Sequence, residues 1–126
     1  MTALTIVLAL LAAIGFLAIG GAALFNPAVL SHLYGTYVHE PNGRAFVRAA
    51  GARDIAFGVL LAVFSFGDAH ALVATLLTGA AIAAADFLIV LRANRRFERA
   101  PLLGHLAGLI SLAALATFVG MTSLPR

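Results

Sequence analysis

The sequence predicts an all-α integral-membrane protein, a four-helix bundle with a short interfacial helix after the first span. Hydrophobic residues make up 63% of the chain and charged residues only 10%, whereas soluble domains are about 45–50% apolar and about 25% charged. Four apolar runs approach the roughly 20 residues that a spanning helix needs. Because the charges gather mainly between these runs, we predict a single transmembrane domain over residues 1–126.

The four predicted spans follow one another with two short connections and one long one. The first lacks charge and the basic segment of a signal peptide, so we expect a retained helix. Residues 67–70 connect the second and third spans, and residues 92–99 connect the third and fourth. The predicted spans are 3–25, 45–66, 71–91 and 101–123.

The longest connection follows the first span and contains helix signals of its own. Asn26 is a favourable N-cap, Pro27 suits the first helical position, and Gly35 is a natural stop. We therefore predict a short helix at the membrane interface, with Tyr34 and Tyr37 at headgroup level.

Arginine placement predicts the orientation. The chain has eight arginines and no lysine, a usage that with its many alanines is typical of a high-GC bacterium. The positive-inside rule puts the connections 26–43 and 92–99 in the cytoplasm and both termini outside, across a bacterial inner membrane. Arginines in two short clusters beside apolar runs do not favour nucleic-acid binding. The arginines on the predicted cytoplasmic side are Arg44, Arg92, Arg95, Arg96 and Arg99, against Arg126 opposite.

Several ionisable residues fall inside the predicted spans. The uncharged stretch after Asp54 is too short to cross, so the second span must carry Arg53 and Asp54. At about 1.5 Å per residue, Arg53 lies roughly 12 Å into its span, Asp86 roughly 8 Å from the end of the third, and His105 roughly 6 Å into the fourth. All lie in the cytoplasmic half of the bilayer. Intramembrane charges are costly, so this shared depth predicts a functional site or buried ion pairs.

Helical periodicity refines the second span. Arg48, Gly51 and Gly58 share a face with Asp54 at its edge, and the glycines permit close approach of a helix or a ligand. Arg53 lies about 100° round the helix from Asp54. We therefore expect these two residues to meet different partners rather than neutralise each other.

The remaining candidate contacts lie on the fourth span and in the long connection. Gly104 and Gly108 predict a packing surface, with His105 beside it and Ser111 further along. With Tyr34, Arg48, Gly51 and Gly58, Ser111 completes the predicted substrate contacts. The chain has no cysteine and no His-x3-His or HExxH motif, so we expect no thiol chemistry, metal or other cofactor.

These residue types suit proton transfer. Asp86 would act as the acid, His105 or Asp54 as base or proton relay, and Arg53 would orient the substrate or neutralise charge. Alternatively, Asp86 pairs with Arg48 or Arg53 only to hold helices in register. The two arginines could also hold an anionic head group.

The segment from Arg48 to Gly58, with its Gly51-Ala-Arg53-Asp54 core, resembles a family of small four-helix membrane proteins of bacteria and fungi. Asn26-Pro27, Asp86 and His105 extend the resemblance over nearly the whole chain. That family is known as a domain of unknown function, so the resemblance implies a fold rather than an activity.

We therefore predict a membrane-embedded enzyme that isomerises, cyclises or hydrates a lipophilic small molecule. A proton-coupled transporter or binding protein is the first alternative, and a structural or accessory subunit the second. The expected partners are this substrate, membrane lipids and a second copy in a homodimer through the glycine faces.

Overall fold

The computed structural model is all-α and describes residues 1–35, 38, 40–93 and 99–124. This part of the chain forms five helices, which confirms the predicted class and order of elements. Four residues with a predicted location lie outside the described residues, namely Tyr37, Arg95, Arg96 and Arg126. The helices are α1 (Ala3–Phe25), α2 (Pro27–Leu33), α3 (Pro41–Phe64), α4 (Ala69–Ala93) and α5 (Arg99–Ser123).

Three of the described helices are long and apolar enough to cross a membrane. These are α1, α4 and α5, with mean hydropathies of 2.6, 2.1 and 2.0. Their large apolar side chains are widely exposed, as at Leu11 and Ile14, each 61% exposed. Such exposure is unfavourable in water and favourable in lipid, so the helices indicate a multi-pass membrane protein. Helix α3 has 24 residues but is not among the three, because its most apolar stretch contains three charged residues, Arg48, Arg53 and Asp54.

The turn after α1 has the predicted local structure. Asn26 occupies the N-cap position of α2 and Pro27 lies in its first turn, without a side-chain capping bond. Gly35 has φ +74°, in the left-handed region that glycine adopts without a Cβ penalty. The helix ends just before this glycine, and its C-cap residue is Tyr34.

The turn between α3 and α4 is fixed by Asp68. Its Oδ1 accepts hydrogen bonds from the backbone N–H groups of His70, at 2.8 Å, and Ala71, at 3.3 Å. A carboxylate in this position satisfies N–H groups that the first turn of a helix leaves unpaired. The Asp68 side chain is 63% exposed, so it provides an exposed carboxylate outside the walls of the described cavities.

Two antiparallel helix pairs make up the body of the molecule. Helix α1 packs along α3 and α4 along α5, while smaller contacts between α3 and α4 join the pairs. At the α1–α3 contact, a Cβ on Gly51 would lie 2.7 Å from the Gly20 carbonyl oxygen, and one on Gly58 2.9 Å from the Ala13 carbonyl oxygen. The absence of side chains at these glycines lets the two backbones approach closely.

This packing distinguishes two kinds of glycine and predicts opposite effects of alanine. We expect Gly51→Ala to lower the free energy of unfolding by about 1–3 kcal/mol, because the new methyl group overpacks the α1–α3 contact. A Cβ on Gly104 meets no described atom within 4 Å outside its own stretch of helix. Gly104→Ala should therefore raise helix stability by about 0.5–1 kcal/mol.

Unfolding of the two variants in one detergent, followed by circular dichroism, measures both changes. Equal losses of stability in the two variants would contradict the described packing of α1 on α3.

Candidate functional site

Arg53 bridges two carboxylates on different helices. Its Nη2 donates to Asp86 Oδ2 on α4 at 3.1 Å, and Nε and Nη2 each lie 3.3 Å from Asp54 Oδ1. The expectation that Arg53 and Asp54 meet separate partners is therefore wrong. A guanidinium on a long flexible stem reaches round the helix to its neighbour, so the 100° between adjacent Cα–Cβ directions does not separate the charges.

Tyr34 binds the second carboxylate oxygen of Asp54. Its hydroxyl donates to Asp54 Oδ2 at 2.8 Å, although sequence analysis places this residue at headgroup level. Burial, followed by the hydrogen bond to Asp54, raises the pKa of the Tyr34 phenol above its usual value. The phenol therefore stays protonated and donating at neutral pH. Asp54 is only 7% exposed, and these two donors compensate for burying its charge.

His105 brings α5 to the same place. Its Nε2 lies 3.5 Å from the backbone carbonyl oxygen of Tyr34, at the outer limit of a hydrogen bond. The structure thus unites residues from the end of α2 and from α3, α4 and α5. We refer to Tyr34, Arg53, Asp54, Asp86 and His105 together as the polar cluster.

The polar cluster forms one wall of a mainly apolar cavity of about 320 Å³, which we term the large cavity. This volume is within the range of small-molecule sites. All five members of the cluster border it, and the rings of Phe16 and Phe57 meet edge to face on its wall, with centroids 4.9 Å apart. Its other lining residues are Ile19, Leu33, Gly79, Ile82, Ala83, Ala100, Gly104, Gly108 and Leu112.

A second cavity of about 290 Å³ lies on the other side of the cluster, and we term it the small cavity. Tyr34, Arg53, Asp86 and His105 border both cavities. The rest of its wall comes from the end of α4, the first half of α3 and the residues before α3. These residues are Val38, Gly43, Phe46, Val47, Ala50, Ile89 and Val90.

Gly104 and Gly108 make room in the large cavity rather than a close helix contact. The nearest described atom to a Cβ on Gly108 is the Ala83 Cβ at 4.0 Å, and Gly104 has no such neighbour. The predicted packing surface on α5 is therefore wrong for Gly104. Glycines four residues apart look the same in a sequence whether a neighbouring helix packs against them or they leave a space.

Four of the predicted substrate contacts lie away from the described cavity walls. The Arg48 Nε donates to the Leu24 carbonyl oxygen at 3.2 Å in an exposed position, and Ser111 is exposed on α5. Gly51 and Gly58 contact α1, so neither is free for a ligand or for the predicted homodimer. Of the predicted contacts, the described walls contain Tyr34 alone.

The apolar wall of the large cavity was not predicted. Phe16, Ile19 and Ile82 belong to apolar runs in which lipid-facing and cavity-facing side chains have the same composition. The one signal in the sequence was the glycine spacing on α5. Among the described residues, no group of three or more His, Asp or Glu side chains is arranged to hold a metal ion.

Together, three apolar helices and a charged cluster beside an apolar cavity define a helical multi-pass membrane protein with a polar site between its helices. The chain belongs to the family described as domain of unknown function DUF4267, whose match covers residues 13–119. This range contains the whole polar cluster, and it confirms the predicted resemblance at the level of an uncharacterised family. Comparison with curated proteins and with solved structures gave no match.

Proposed function

We propose that α3 is a fourth membrane span, which makes the protein a four-helix bundle with α2 at the interface. Its 24 residues are long enough to cross, and it packs against α1, itself apolar enough to span. Arg53 and Asp54 have ionic and hydrogen-bonding partners inside the protein, which lowers the cost of placing them in lipid. The arginine distribution supports an orientation in a bacterial inner membrane with both termini outside.

For the function, we propose a membrane-embedded enzyme that transfers protons to and from a lipophilic small molecule, in an isomerisation, a cyclisation or an addition of water. One observation carries this proposal: Asp86 and His105 border the same apolar cavity of about 320 Å³. A carboxylate and an imidazole are the side chains most used for proton transfer. An apolar cavity supplies a lipophilic substrate and keeps bulk water away.

The contacts suggest a role for each group. Arg53 is always protonated, and it pairs with the ionised form of Asp86. Asp86 therefore suits the role of the base rather than that of the acid. In an isomerisation, Asp86 takes a proton from one substrate carbon and returns it to another carbon, either directly or through His105 as a relay, so both side chains regain their starting protonation state. The substrate gains and loses one proton, so no oxidant or reductant enters the balance. Asp54 holds Arg53, and Tyr34 holds Asp54 through its hydroxyl, so both are positioning residues.

A second function, proton-coupled transport, is favoured by one specific observation. Tyr34, Arg53, Asp86 and His105 separate two cavities, as the gate of a transporter does. A transporter moves its substrate across proteoliposomes without changing it, whereas the enzyme changes it in detergent. Comparing flux and product formation for one bound compound distinguishes the two.

The compound itself is the first target of an experiment. We expect an organic extract of protein purified in mild detergent to contain, by mass spectrometry, a discrete non-phospholipid compound. Extract from Asp86→Asn should lack it or contain a chemically different form, because the variant removes the charge beside the cavity. The matched control is Asp68→Asn, which changes an exposed carboxylate outside the described cavity walls. Only phospholipid in all three extracts would argue for a structural ion pair.

A further inference from the structure

The charges of the polar cluster do not balance. Arg53 contributes one positive charge, and Asp54 and Asp86 contribute one negative charge each, so the three linked side chains have a net charge of −1 with His105 neutral. A net charge is costly in an apolar environment, because electrostatic interactions are only weakly screened there. This excess disfavours the anionic head group that the arginines alone suggest.

The hydrogen-bond acceptors of the polar cluster also disfavour an anionic ligand. Arg53 directs Nε and Nη2 to the two aspartates. On Asp86, Oδ2 receives the described bond, and no described residue donates to Oδ1. The Asp86 side chain is 27% exposed and borders both cavities. The site therefore offers an acceptor with negative charge to whatever enters.

The cavity volume sets the size of the ligand. An engineered apolar cavity of about 150 Å³ binds benzene, which corresponds to roughly 25 Å³ for each non-hydrogen atom. The large cavity, at about 320 Å³, then holds about a dozen such atoms. That is enough for a small cyclic or branched hydrocarbon with one polar group, but not for a phospholipid.

From these observations we propose that the site binds a compact lipophilic monocation, an amine of about a dozen non-hydrogen atoms. Its ammonium group pairs with Asp86, and its hydrocarbon body fills the large cavity against Phe16 and Phe57. The inference deepens the proposed function and rests on the same site, while making no use of a catalytic step.

Three probes with one apolar cage test it: 1-adamantanamine, 1-adamantanol and 1-adamantanecarboxylate. Equilibrium binding is measured on protein in nanodiscs of neutral lipid, with empty nanodiscs subtracted. We expect the amine to bind at least about tenfold more tightly than the alcohol, since a charge-assisted hydrogen bond is worth about 1.5–3 kcal/mol and each 1.4 kcal/mol is tenfold. The carboxylate should bind most weakly.

Variants then locate the charge selectivity. Asp86→Asn should remove the preference for the amine over the alcohol, and Asp68→Asn should keep it. Should Asp86→Asn fail to fold, Gly104→Leu fills the large cavity from a position with free space and should weaken amine and alcohol alike.

The outcomes separate this inference from the proposed function. Equal binding of amine and alcohol, preference for the carboxylate, or amine selectivity retained in Asp86→Asn overturns the lipophilic cation and leaves proton transfer on a neutral substrate standing. The absence of saturable binding for all three probes overturns the inference. Failure of the proposed function is seen differently, as a bound compound that is never converted.

Discussion

Replacing Arg53 by methionine is expected to lower the free energy of unfolding by about 2–3 kcal/mol. Methionine keeps most of the length and apolar contact of the side chain but removes the charge that Asp54 and Asp86 share. Removing one partner of a fully buried ion pair costs about 3–5 kcal/mol. We expect less because the Arg53 side chain is 42% exposed, so the ion pair is only partly buried.

Arg48→Met is the matched control for this change. Arg48 lies five residues before Arg53 and is exposed, and within the described part of the chain its Nε donates to the Leu24 carbonyl oxygen. We expect a loss below about 1 kcal/mol, as for an ordinary surface contact. Thermal unfolding of both variants in one detergent gives the comparison, and equal losses would contradict the central place of Arg53.

A double-variant cycle then identifies the partner. Because Asp86→Asn removes one of the two carboxylates that Arg53 compensates, Arg53→Met should cost less in that background, with a coupling of about 1 kcal/mol or more. Additive losses would show that the 3.1 Å contact between Arg53 and Asp86 contributes little to stability.

The second large effect concerns chemistry. In the proposed enzyme, Asp86→Asn should lower turnover of the bound compound by about 10²–10⁴-fold, the usual contribution of a positioned acid or base. The amide has nearly the shape of the carboxylate, so the walls of both cavities stay in place while the base is lost. Product formation per protein molecule is measured by mass spectrometry, with Asp68→Asn expected at wild-type rate. A variant at Asp86 with unchanged turnover would exclude the catalytic role.

Much of the architecture could be predicted from composition and periodicity. Apolar runs of spanning length, Pro27 at a helix start and Gly35 after a helix end are local signals, and the helices begin and end close to the predicted places. Helix α3 is the long helix that apolarity alone does not indicate as a span, because Arg53 and Asp54 are charged, even though their charges have partners inside the protein. A hydropathy scale gives a charged residue the same value everywhere, whereas the free energy of placing it in a bilayer depends on whether its charge has a partner.

The positions of the site residues along their helices could be predicted, but the contacts between their side chains could not. Arg53, Asp86 and His105 have similar distances from their helix ends, which correctly indicated that they could meet. Helical angle was a poor guide for Arg53, whose reach exceeds the separation of adjacent positions. The role of Gly104 depends on the space left between α4 and α5, a tertiary property that no local pattern encodes.

Proton transfer at Asp86 can be measured by solvent hydrogen exchange, because acid–base chemistry on a bound compound leaves an isotopic record. Wild-type protein, Asp86→Asn and Asp68→Asn are incubated in D2O with the compound recovered from the organic extract, beside protein-free detergent. We expect carbon-bound deuterium with wild-type protein and Asp68→Asn, and at least about a hundredfold slower incorporation with Asp86→Asn. A compound that binds the wild-type protein yet returns neither deuterated nor converted, or that exchanges equally fast with Asp86→Asn, would contradict proton transfer by Asp86.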